Sequence, residues 1–536
     1  MKPGPYCPFV IATRLAALAL VVLAWRAGWP WGLTLGTFGL LGLGRVPRRK
    51  LLIELAVGLA ILGLAHGFAA DVIDRLPLGA AAVALAALLL APESGLVRLN
   101  GIDRFFVMQD SDDTPTNCHA RLDLSAPLDR QALEQAAWDL HVEVPILRSF
   151  IREAAFGVQR FVARRPFATR LVRWQDRPLA DEDPVLYERF DAGREPPFRF
   201  YHAPDGAGGA SLFFTWTHGT GDGEGGILAL DWLLRRYNDY VKGRPKEPFP
   251  RTQEGLRLRD VVRARGKGYG WMWRMARRHL KPAGKVGQRN AELYDDVNAT
   301  GGSFRNHTSW ITPETFESLN QATDSGALTR NDLLVTAALR AADRLRLASG
   351  REDRPFRLTI SANLRRQLGL EPAMQNFLGT LQPLFTVDEV RSRDLAKVVH
   401  ERIQHGRELE DIVETPIHLG IMTLLLPPWL MRKALRKLET ATDGPYFSFL
   451  YSSYRQPEIR APEGTQIRNS KVLHAMPRRP PIALSLGRDR GAMRIMVIYR
   501  HPMVSDATAQ AFAQGFRAEV DRIVASAGSP AQAVAP

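Results

Sequence analysis

Only two cysteines, Cys7 and Cys118, occur among 536 residues, and so few exclude both a disulfide framework and a thiolate metal site. H-E-x-x-H, C-x-x-C and G-x-S-x-G are all missing, which removes the usual sequence signatures of zinc proteases, dithiol redox proteins and serine hydrolases. No internal repeat is found, which argues against a solenoid or propeller. Gly and Pro stand at ordinary levels, 44 and 36 residues, so no low-complexity or collagen-like chain is implied. The composition is that of a folded protein long enough for more than one domain, with disorder expected in a small-residue tail, 527–536.

Charge is scarce at the beginning of the chain. Apolar runs cover about residues 8–25, 28–44, 51–70 and 76–92, each near the roughly 20 residues that cross a bilayer as a helix. They predict a membrane region over 1–95 with about four transmembrane helices. A cleaved signal peptide accounts only for the first run. Arg45, Arg48, Arg49 and Lys50 lie between the second and third runs, whereas Asp71, Asp74 and Arg75 lie between the third and fourth. The basic loop marks the cytoplasmic side, so the expected placement is a multi-pass inner-membrane protein with its large domain in the cytoplasm. Glu54 and His66, inside the third run, mark either a polar path or side chains reaching the headgroups.

Positive charge dominates the remainder, and the formal net charge is +15. That balance raises nucleic acid as a partner, but the distribution argues against it. Residues 251–289 carry twelve Lys/Arg against Glu254 and Asp260, with Trp271 and Trp273 interleaved. A second stretch, from Pro427 to Lys437, sets Trp429, Leu430 and Met431 beside Arg432, Lys433, Arg436 and Lys437. Tryptophan beside basic residues on an amphipathic stretch suits an anionic membrane surface; the alternative is a core-packed helix with a solvated basic face. Either arrangement attracts CoA phosphates or an acidic carrier protein.

Beyond residue 95, strand-like alternation and helix-like spacing are mixed. Cys118–Leu124 reads as a strand, Leu128–Val142 as a helix opened by Asp129, and the apolar run ending at Thr217 as a strand that leads into a helix from about Ile227. Later segments predict helices over 313–322, 331–347 and 507–524 and strands over 358–363, 446–452, 482–487 and 493–499. The class is α+β, with an N-terminal lobe over 97–285, including the basic crossover, and a C-terminal lobe over 300–526.

The most specific signal is Thr217-His218-Gly219-Thr220-Gly221-Asp222-Gly223, an H-x-x-x-D-G arrangement between a strand and a helix. A histidine at a strand end can serve as a general base near neutral pH, and the glycines leave room for substrate. Gly221 to Gly226 also satisfies G-x-G-x-x-G, but Asp222 and Glu224 would repel a pyrophosphate and no parallel β-α-β unit surrounds them.

At this motif the chain resembles the chloramphenicol-acetyltransferase-like acyltransferases, a superfamily that includes nonribosomal-peptide condensation domains and wax ester synthase/diacylglycerol acyltransferases. The resemblance runs over about 97–526. Leu99-Asn100-Gly101-Ile102-Asp103-Arg104 is similar to the family's opening strand, and Val144-Pro145-Ile146-Leu147-Arg148 to a further signature. Thr329-Arg330-Asn331-Asp332 resembles a helix start, Ile360-Ser361-Ala362-Asn363-Leu364-Arg365 a strand, and Asn376-Phe377-Leu378-Gly379 the turn that follows. The D-F-G-W-G signature of the plant branch is missing. Thr217 stands where many relatives carry a second histidine, a difference that touches tuning of the base.

The resemblance implies two lobes around a tunnel, with His218 as the base that deprotonates the acceptor. It gives Asp222 an architectural role, with Arg365 as partner. Gly223 is either an oxyanion donor or a plain turn glycine. Asn331 and Asn376 are candidate supports, although Thr329 to Asp332 equally forms a helix-capping box. No cofactor or metal is implied, and the expected donor is acyl-CoA or an acyl-carrier protein; the acceptor, a hydroxyl on a lipid-like or membrane-proximal molecule, is expected only from the membrane runs and the basic aromatic stretches. Amide-forming condensation and a catalytically inactive membrane scaffold are the alternatives.

Overall fold

A computed structural model describes residues 96–528, apart from 251–265, 275–289, shorter gaps at 154–157, 366–372 and 441–446, and gaps of one to three residues elsewhere. The four apolar runs, Cys7, most of the basic crossover and residues 529–536 lie outside the described residues. Among the described residues, no helix is long and apolar enough to cross a membrane.

Two large sheets organise the described residues, beside a small three-stranded one of Leu96–Val97, Val158–Val162 and Ser149–Glu153. The first orders its strands Ile467–His474, Asn117–Leu124, Ala210–Thr217, Phe198–Pro204 and Val172–Trp174. Every residue of Ala210–Thr217 is buried, as expected of a central strand with both faces covered. Leu212, Phe214 and Trp216 meet helices Arg130–Glu143 and Gly223–Val241 on one side, while Phe213 packs with Leu179, Leu186 and Tyr201 on the other. Asp129 caps the first of these helices through the Ala132 N–H, and Asp222 caps the second through the Gly225 N–H.

The second sheet runs Leu378–Leu381, Phe356–Asn363, Phe449–Arg455, Ile482–Asp489, Ala492–His501 and Ser303–Ile311, with Leu384–Phe385 also paired to Phe356–Asn363. Helices Arg330–Ala348 and Asp506–Gly528 bury Leu334, Ala338, Phe512 and Phe516 in its core. The last helix continues through Gly528, and the rest of the tail expected to be disordered, 529–536, lies outside the described residues.

The lobes are not separate in sequence. Ile467–His474 comes from the second half of the chain, yet it pairs antiparallel with Asn117–Leu124 in the first sheet. Residues 97–285 therefore do not complete their own sheet. A second difference lies at the start: Gly101–Gln109 is a helix, not the strand expected there, because Asn100 and Asp103 close a reciprocal capping box.

Candidate active site

The motif strand ends at Thr217, and His218 is held at its tip by its N–H, which donates to the Thr116 carbonyl at 2.7 Å. The chain then turns tightly: Thr220 N–H donates to Thr217 O at 2.8 Å, and Trp216 Nε1 donates to Gly221 O at 2.8 Å. Glycine is required here by close approach. A Cβ at Gly221 or Gly225 would lie 2.1 or 2.0 Å from the Met374 carbonyl oxygen. Backbone from the second half of the chain thus presses directly onto the histidine loop.

That approach brings Arg365 and Asn376 into place. Arg365 donates bidentately to Asp222, Nη1 to Oδ2 and Nη2 to Oδ1, both at 2.9 Å. Its Nη2 also donates to the carbonyls of Ala373 and Gln375 at 2.9 and 2.7 Å. Asp222 further accepts from Gly225 N–H and Phe377 N–H, each at 3.0 Å. Asp222 is 2% exposed and Arg365 5%, so each ion is almost wholly dependent on the other for charge compensation. With its oxygens occupied by four donors, the carboxylate cannot also serve as a base.

Asn376 is the second link. Its Nδ2 donates to the His218 carbonyl at 2.6 Å and to Asp103 Oδ1 at 2.8 Å, while Asn100 Nδ2 donates to the Asn376 carbonyl at 2.6 Å. Asn363, two residues before Arg365, donates to Glu224 in the first turn of the motif helix. Sequence reasoning missed Asp103 as part of this site, although the N-x-x-D spacing of a capping box was a signal for the helix that carries it.

The imidazole of His218 is half-buried and stacks on Phe106, with ring centroids 3.6 Å apart and planes at 13°. Its Nδ1 is buried without a completed hydrogen bond among the described residues. Burial holds the ring's pKa below the ordinary histidine value, against the opposing pull of its own backbone, Asp222 and Asn376. The ring is thus kept neutral at neutral pH, the form that accepts a proton.

His474, at the end of the strand that crosses between lobes, is also brought near. Its desolvation, and next the charge that His218 would carry, lower its pKa to about 4. Nothing in the sequence around His474 announces this placement. Its strand pairing with Cys118, which in turn pairs with Trp216, puts it beside the motif.

Two expected site residues stand differently. Gly223 is the first residue of the helix, not part of the turn, and a Cβ there would meet only Val472 Cγ1 at 3.4 Å. Asn331 does not join the His218 cluster: its side-chain oxygen accepts from Tyr451 Oη at 3.0 Å. Thr329 and Asp332 form the capping box of Arg330–Ala348, and Asp332 also meets His400 Nδ1 at 2.7 Å.

No protein-family model matches this sequence, and no curated protein is significantly similar to it. Solved structures do match. Polyketide synthase associated protein 5 from Mycobacterium tuberculosis is 18% identical and superimposes over 81% of this chain and 99% of its own, with a TM-score of 0.57. Trichothecene 15-O-acetyltransferase from Fusarium sporotrichioides is 13% identical over 80% of this chain and 94% of its own, TM-score 0.59. The first condensation domain of the CDA synthetase is 15% identical over 83% and 99%, TM-score 0.57. The chain therefore has the fold shared by condensation domains and chloramphenicol-acetyltransferase-like acyltransferases.

Proposed function

We propose that this protein is a membrane-anchored acyltransferase that moves an acyl group from a CoA or carrier-protein thioester to a hydroxyl on a lipid-like or membrane-proximal acceptor. The observation that carries the reading is the division of labour at the motif: Asp222 is committed to Arg365, while His218 stays neutral, half-buried and stacked on Phe106. With Nδ1 enclosed, Nε2 is the nitrogen left to address a substrate.

In this mechanism Nε2 takes the acceptor's hydroxyl proton as its oxygen attacks the thioester carbonyl. A tetrahedral intermediate forms, the C–S bond breaks, and the departing thiolate receives the proton from the imidazolium. General base assistance of this kind supplies about 10²–10⁴ in rate. The N–H of Gly223 lies in the first helical turn, where intrahelical partners are lacking, and is our candidate donor to the developing oxyanion. The membrane placement rests on the apolar runs before residue 95.

An amine acceptor would use the same base and yield an amide, and the structural likeness to condensation domains supports that reading equally. The test is thioester consumption by the full chain in nanodiscs, with a panel of acyl-CoAs and acyl-carrier proteins, and hydroxyl and amine acceptors from a membrane-lipid extract. Thiol release coupled to a new ester, and lost in His218→Ala, supports the proposal. A new amide product supports condensation. Equal turnover in both proteins overturns His218 as base.

A further inference from the structure

The helix Pro428–Thr440 has two unlike faces. Met431 and Leu435 turn inward and cluster with Leu99, Val107 and Met108, so the helix packs on Gly101–Gln109. The other face carries Trp429, Lys433, Arg436 and Lys437, at helical spacings of four, seven and eight residues, all exposed. Trp429 is 65% exposed, more than any other large hydrophobic residue among those described. An indole standing in water is costly for a soluble face and favourable at a bilayer surface, where the ring reaches the apolar boundary and exposed cationic side chains face anionic headgroups.

The position of this helix singles out the partner. The last apolar run ends near residue 92 and Leu99 is already packed against Met431, and those seven residues of chain reach at most roughly 25 Å. The basic face therefore cannot lie far from the point where the chain would leave the bilayer. Basic residues at such a juncture are attracted to anionic headgroups within about a Debye length, near 8 Å at physiological salt.

We propose that the Trp429–Lys433–Arg436–Lys437 face of this helix rests on the anionic cytoplasmic surface of the membrane and seats the catalytic domain there. The inference rests on the membrane-anchored reading above. It adds a consequence for the chemistry: Gly101–Gln109, against which the helix is packed, also carries Phe106, the ring stacked on His218. One short helix thus joins the membrane-facing surface to the base, and a lipid-borne acceptor would meet the site from that side.

The full chain in nanodiscs tests this without relying on turnover. Lipids carry brominated acyl chains that quench nearby indoles, and the difference between wild type and Trp429→Phe isolates Trp429 from the other ten tryptophans. In phosphatidylcholine discs containing phosphatidylglycerol, the Trp429 emission is expected to fall at least twofold. Lys433→Glu/Arg436→Glu/Lys437→Glu should restore it, since each basic residue contributes roughly a fivefold preference for an anionic surface. Undiminished Trp429 emission in anionic discs, or quenching that survives the triple substitution, overturns the proposal. So does a chain that does not enter the discs. Emission that responds only to an added acidic acyl-carrier protein assigns the face to that partner and overturns the membrane assignment. Thioester turnover on the same samples separates the two readings: turnover without quenching removes the membrane seat alone, and quenching without turnover removes the chemistry alone.

Discussion

Arg365→Ala should unfold the histidine loop without touching the histidine. The substitution removes two charge-assisted bonds from Asp222 and two more that tether the carbonyls of Ala373 and Gln375. Asp222, 2% exposed, would keep only the backbone donors of Gly225 and Phe377. Stranding one partner of such a pair costs about 3–5 kcal/mol. At about 2–4 °C per kcal/mol for domains of 150–250 residues, the thermal midpoint should fall by on the order of 10 °C. Asp222→Ala should cost as much, because it leaves a buried guanidinium with carbonyl partners alone. The double variant leaves no buried charge, so its loss should fall short of the sum of the singles by roughly 1–3 kcal/mol. Thermal unfolding of the full chain followed by tryptophan fluorescence is a suitable assay, since Trp216 donates to Gly221 within the loop. Losses that add to within about 0.5 kcal/mol would refute the coupling.

Four further outcomes are expected. His218→Ala should lower kcat/KM for thioester transfer by about 10²–10⁴ while the thermal midpoint holds; a drop below tenfold would remove it as base. The pH profile follows from burial: with the His218 pKa depressed, the acid limb of kcat/KM should lie below the ordinary 6.5, and a limb above 7 would contradict the site. Because folded His474 and His119 titrate near 4 and 3, the unfolded chain binds more protons below 6.5, so stability should fall as pH drops through that window; urea midpoints at pH 7 and 5 read it. Among the motif glycines in the first turn of the helix, Gly225→Ala should cost about 1–3 kcal/mol or more through its clash with the Met374 carbonyl, whereas Gly223→Ala should fold normally, so any loss of turnover there reports on the reaction.

Much of the local structure was legible in the sequence because local causes produce it. Period-two and helical patterns located the strand ending at Thr217 and the helices near 130–143 and 330–348. Thr329 and Asp332 were a capping box by spacing alone, and so they proved. The same local rule, applied to Asn100 and Asp103, would have replaced the expected strand at 99–104 with the helix found there. In contrast, Ile467–His474 alternates weakly, with polar residues on both faces, and its strand exists because Asn117–Leu124 offers an unpaired edge.

By itself, then, the sequence determined the position of His218 between a strand and a helix, the class of the fold, and the contrast between an apolar first 95 residues and a basic remainder. The tertiary structure decided which distant groups serve the site. Phe106 reaches His218 and Arg365 reaches Asp222 across 112 and 143 residues, and Met374 sets which glycines are obligatory. Those partnerships depend on sheet order and interlobe packing, which arise from burial shared over the whole chain and leave no periodic trace near the residues they unite.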